Sequence, residues 1–105
     1  MTPEQNIWIG TAEVKPMPGN DMLAPGARGA FVSAVGIGSD LDEFAVKVRR
    51  LLALLSFDVL EVTDIELLAD RQKRDKVERR LLKQVSGLTL ADPVGLGTFD
   101  SYNEE

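Results

Sequence analysis

Residues Ala30 to Leu68 constrain the fold more than any other part of the chain, because they read as strand, helix and strand in immediate succession. Phe31-Val32-Ser33-Ala34-Val35-Gly36-Ile37 is rich in β-forming residues. Ser39-Asp40-Leu41-Asp42-Glu43 has the composition of a helix start, with Ser39 as the expected N-cap and the acidic residues at the positive end of the helix dipole. Leu41, Phe44, Ala45, Val48, Leu52 and Leu55 then recur at helical spacing and predict a helix over 40–55. Ser56 stands where a glycine would usually end such a helix, so a strained residue or an irregular ending is expected there. Phe57 to Leu67 returns to a strand pattern, and two strands joined by one helix predict a parallel pair. Within this last strand Leu60 and Val62 share one parity while Ile65 and Leu67 share the other, which predicts a bulge near Thr63-Asp64.

The rest of the chain supplies the partners of this unit. Ile7 to Val14 reads as a first strand, with Ile7, Ile9 and Thr11 on one face and Trp8, Ala12 and Val14 on the other. Pro16 to Gly29 is a long loop punctuated by Pro18-Gly19 and Pro25-Gly26. Asp70 is placed to cap a second helix over 71–86, with Val77, Leu81, Val85 and Leu88 as its apolar stripe and Gly87 as its stop. Gly95 to Tyr102 reads as a last strand, and residues 103–105 are expected to fray. The order β-β-α-β-α-β predicts one α+β domain over residues 1–105. Its expected form is a two-layer sandwich, a mixed four-stranded sheet with two helices on one face, close to a ferredoxin-like variant. Phe31, Val35 and Ile37 point one way along their strand and the smaller Val32, Ala34 and Gly36 the other. One helical layer cannot cover both faces, so a homodimer through the open sheet face is expected.

Composition narrows the chemistry. The chain has no cysteine and no histidine, which removes disulfides, thiolate zinc sites, thiol nucleophiles and the commonest general base. No catalytic, cofactor-binding or metal-binding residue can be assigned, and the reading leans away from an enzyme. The glycine-rich turn Gly36-Ile37-Gly38 before the helix could cradle phosphate, but the third glycine of a dinucleotide fingerprint is replaced by Leu41. Asp40, Asp42 and Glu43 would also repel an anion there, so the turn reads as close strand–helix packing. Asp58, Glu61, Asp64 and Glu66 could hold a divalent cation but read better as a charged strand edge that discourages pairing.

The net charge of −5 disfavours nucleic acid as a partner. The charge is uneven: seven basic and two acidic residues lie between Arg71 and Lys83, leaving five basic and fifteen acidic elsewhere. Arg71, Lys73, Arg74, Lys76, Arg79 and Arg80 are therefore candidate partner-binding residues, with only Asp75 and Glu78 inside the stretch to pair with them. Met17, Met22 and Leu23 in the long loop, and Trp8 and Tyr102 on strands, complete the candidates as an adaptable apolar contact surface. No apolar run is long enough to span a bilayer, and the first six residues lack the features of a secretory signal, so a cytoplasmic location with no membrane partner is expected. In size, acidity and mixed α+β pattern the chain is similar to small acidic immunity proteins that neutralise a basic toxin; no motif carries that likeness. The function expected is a non-catalytic protein-binding module of immunity or regulatory type. The alternative is a homodimeric small-molecule-binding protein or cofactor-dependent enzyme with a pocket at the sheet face.

Overall fold

The computed structural model describes residues 6–23 and 25–103. Its elements are β1 (Asn6–Pro16), β2 (Gly29–Gly38), α1 (Leu41–Leu54), β3 (Phe57–Leu67), α2 (Leu68–Arg74), α3 (Arg79–Val85) and β4 (Val94–Tyr102). The four strands form one sheet in the order β3-β1-β2-β4. Every hydrogen-bonded pair is antiparallel. β2 and β3 do run in the same direction, but β1 lies between them, so the strand–helix–strand unit never makes a parallel pair.

The core explains this arrangement. β1 and β2 pair without interruption from Asn6↔Gly38 to Val14↔Ala30. Their even-numbered residues therefore share one face and their odd-numbered residues the other. On the even face Ala12, Val14, Ala30, Val32 and Ala34 meet Phe44, Val48 and Leu52 of α1. Phe44 sits where the sheet has no side chains. A Cβ added at Gly10 would stand 3.2 Å from its ring, and one at Gly36 3.0 Å. Gly36-Ile37-Gly38 is thus a packing turn, and the helix can approach because the strand beneath it is small. At the other end of this face Phe57 and Phe99, from the two edge strands, stack with ring centroids 5.1 Å apart.

α1 begins one residue later than its composition suggests. Asp40 is the N-cap, its carboxylate accepting from the Glu43 backbone N–H at 2.8 Å. Ser39 instead donates its hydroxyl to the Glu43 carboxylate at 2.6 Å. Lys47 donates to that carboxylate at 2.8 Å and to the Ile37 carbonyl at 2.9 Å, tying the helix to the end of β2. Ser56, just past the helix, has φ 67°, the strained ending expected of it. Asp64 has φ 55° where β3 slips register against β1. This is the bulge that the change of parity predicts, and a second slip lies between Glu13 and Val14. The Pro16–Gly29 loop folds back to α1, where Asn20 donates to the carbonyls of Leu55 and Ser56, both at 2.9 Å, and Leu23 packs against the core.

Three findings correct the expected architecture. The sheet is antiparallel throughout its pairings rather than mixed. The second helix is two seven-residue helices, broken between Asp75, whose backbone is extended, and Glu78, whose backbone (φ −50°, ψ 130°) is not helical. Neither has a side-chain cap, and Asp70 lies inside α2. The helices also do not share a face. Leu68 of α2 and Leu81 of α3 pack on Ile9 and Val35, the odd-numbered side of the sheet. A single straight helix from residue 71 would exclude Leu68. The break lets both leucines enter one cluster while the chain returns to β4. The ferredoxin-like variant with two helices on one face is therefore replaced by a sheet carrying α1 on one side and α2–α3 on part of the other. Asn103 is exposed and irregular, and the remainder of the expected frayed tail lies outside the described residues.

α3 also guards an edge. Gln84 bonds both the N–H and the carbonyl of Leu96, and Glu78 accepts from the Thr98 N–H at 3.2 Å and its hydroxyl at 2.8 Å. These side chains occupy backbone groups of β4 that would otherwise pair with another strand. Two outcomes follow from the packing. Gly36→Ala puts a methyl 2.9 Å from the Pro93 carbonyl oxygen and 3.0 Å from Phe44, and is expected to destabilise by about 1–3 kcal/mol in urea unfolding. The double substitution Glu78→Ala/Gln84→Ala is expected to increase self-association in sedimentation experiments, where the wild type shows less.

Candidate functional site

The odd-numbered face of the sheet is divided. Towards the start of β1, Ile7, Ile9 and Val35 lie under α2 and α3. Towards its end the register sets polar residues side by side. Thr63, Thr11 and Ser33 form one row, and Glu61, Glu13, Phe31 and Asp100 form the next across all four strands. Beyond them Lys15 faces Asp58, and Gly29 faces Tyr102. Among the described residues no helix covers these rows.

The side chains there are partly organised. The Tyr102 hydroxyl donates to the Glu13 carboxylate at 2.7 Å. Its ring lies over Gly29, where a Cβ would collide with it, and sits 5.6 Å from the ring of Phe31. Phe31 is 45% exposed although it is a large apolar residue in a central strand. Glu13, Lys15, Pro16, Ala27, Arg28 and Tyr102 line an open depression beside it. The half-sheet thus presents two aromatic rings among the carboxylates of Glu13, Asp58, Glu61 and Asp100, with Lys15 and Arg28 at the rim.

The residues singled out in the sequence are scattered over several surfaces. Tyr102 alone belongs to the open half-sheet. Trp8 is partly buried against the α1 core, and its indole N–H donates to the Gly38 carbonyl at 2.9 Å. Leu23 is a core plug, whereas Met17 and Met22 are exposed. The basic stretch is split by the break between α2 and α3. Arg71 and Arg74 converge on Glu66, with bonds of 2.6 Å from each and a second from Arg74 at 2.9 Å. Lys73 pairs at 3.8 Å with Asp70. Lys76, Arg79 and Arg80 remain exposed, with no ion pair among the described residues. Glu66 therefore ties β3 to α2 rather than joining an acidic edge. Among the described residues no group of three or more acidic side chains is placed to hold a metal ion.

Glu13 and Asp100 were not singled out from the sequence, Glu61 was read only as part of a charged strand edge, and Phe31 only as part of an apolar sheet face. One signal was present: along β1 the face beginning with Ile7 and Ile9 continues as Thr11, Glu13 and Lys15, changing from apolar to polar midway. Phe31 was hidden by its parity with Val35 and Ile37, which assigned it to an apolar face. α2 and α3 bury Val35. α2 and α3 thus cover part of the face on which the homodimer expectation rested, and on the rest Phe31 is exposed among polar residues.

Comparisons with protein-family models, curated proteins and solved structures return no match. Among the described residues no helix is long and apolar enough to cross a membrane.

Glu66 yields a pH prediction. Hydrogen bonds from Arg74 and then Arg71 lower its pKa from 4.5 to about 2. A carboxylate with a depressed folded pKa stabilises the fold above its unfolded value and loses that contribution as pH falls through the folded one. The Tm advantage of the wild type over Glu66→Gln is expected to be complete above pH 4.5 and to vanish near pH 2.

Proposed function

We propose that this protein is a non-catalytic binding module that docks a basic protein segment on the open half of its sheet. The observation that carries the reading is the row Glu61–Glu13–Phe31–Asp100, which sets an exposed aromatic ring between carboxylates on a rigid four-stranded support. Aromatic side chains at the centre of a patch give contact area at low entropic cost, and Phe31 and Tyr102 are placed to stack on arginine or lysine. The surrounding carboxylates would steer a cationic partner and set its orientation. The absence of histidine and cysteine from the chain fits binding better than catalysis. A second copy is a poor occupant, because a two-fold contact would bring the same acidic row against itself. Size and acidity fit a neutralising or regulatory role of this kind.

The test is affinity capture with the wild type and with Glu61→Lys/Asp100→Lys, both exposed positions. A basic protein recovered near stoichiometrically by the wild type and lost with the double variant is the expected outcome. Equal recovery by both would remove the assignment of this face. Phe31→Ala is expected to weaken the measured affinity by about tenfold.

A further inference from the structure

The outward side of α1 carries charges that invert about one residue. Asp42 and Glu43 precede Val46 by four and three positions, and Arg50 and Arg49 follow it by four and three. Three and four residues are about one helical turn, so these side chains gather around Val46, away from the buried Phe44, Val48 and Leu52. Asp42, Arg49 and Arg50 are exposed and have no ion pair among the described residues, while Glu43 is bound to Lys47. Val46 is 47% exposed at the centre, and Leu54 is 82% exposed beyond the arginines. The last turn of α1 holds no basic residue, so the helix dipole does not account for Arg49 and Arg50.

We propose that α1 packs antiparallel against α1 of a second copy, with the two-fold axis at Val46. This contact shares no residue with the open sheet face and does not depend on what binds there. When Val46 meets Val46 across such an axis, the residue four before it faces the residue four after it in the other copy. Asp42 of each copy then faces Arg50 of the other, and Glu43 faces Arg49. The charges select this one register. Moving the axis a turn towards the end of α1 brings the arginines of the two copies together, and a turn towards its start brings the carboxylates together. A parallel pairing sets Asp42 against Asp42. A different protein would need no pattern that inverts about its own midpoint, whereas a second copy needs one. At each end Leu54 of one copy lies by the start of the other helix, where Leu41 is 46% exposed. The 14 residues of α1 span about 21 Å, too short to bury the ~1,200 Å² of a standard interface, so the dimer is a weak one.

The test is sedimentation equilibrium of the full chain from about 10 μM to about 1 mM, with wild type, Asp42→Arg, Arg50→Asp and an equimolar mixture of the two variants. Both positions are exposed, and circular dichroism checks that each variant is folded. The wild type is expected to shift towards dimer across this range. Each variant alone sets like charges against each other twice, and its Kd for self-association is expected to rise about tenfold or more. The mixture is expected to regain wild-type dimerisation, because both contacts between positions 42 and 50 again join opposite charges. Val46→Lys, which sets two ammonium groups at the axis, is expected to weaken self-association as the single charge reversals do. A wild type that stays monomeric throughout, variants that dimerise as tightly as the wild type, or a mixture no tighter than either variant alone overturns the proposal.

Discussion

The fold depends on how closely α1 can approach the two central strands. Phe44 lies against backbone at Gly10 and Gly36, and the residues beside it on the same face are Ala12, Ala34 and Gly38. A larger residue at any of these positions would lift the helix and open the core along its length. Lys47 and Glu43 hold the start of that helix to β2, and Asn20 ties the long loop to its end. Helix position, loop path and the return of the chain into β3 all follow from one close contact.

The opposite face is governed by a different constraint. Two seven-residue helices can cover only part of a four-stranded sheet. They cover the end where Ile9 and Val35 are apolar, and Glu66 with Arg71 and Arg74 anchors them there. The remaining half must be compatible with water, and its threonines, serine and carboxylates are. Phe31 is the exception, an aromatic residue that folding leaves half-exposed. Gln84 of α3 and its N-cap Glu78 meanwhile occupy the edge of β4 at Leu96 and Thr98, and β3 is interrupted by two register slips that bend its edge.

Much of the local structure was legible. The positions of the strands and of α1, the irregularities at Ser56 and Asp64, and the packing role of Gly36-Ile37-Gly38 all follow from pattern and backbone preference. The basic stretch was misread because periodicity from Val77 to Leu88 describes the buried stripe without showing the break before it. Arg71 and Arg74 looked like a free cationic face, since their partner Glu66 precedes the helix and was grouped with an acidic edge.

The sequence by itself determined the four strands and α1 and much of the buried stripe of each, because those follow from period, capping and turn chemistry within a few neighbours. Tertiary structure decided the insertion of β1 between β2 and β3, the placement of helices on both faces and the alignment of Glu61, Glu13, Phe31 and Asp100 in one row. Each of these joins residues distant in the chain, and only strand order and register bring them together. The most informative surface of the molecule is therefore a product of pairing, assembled from four strands none of which carries it alone.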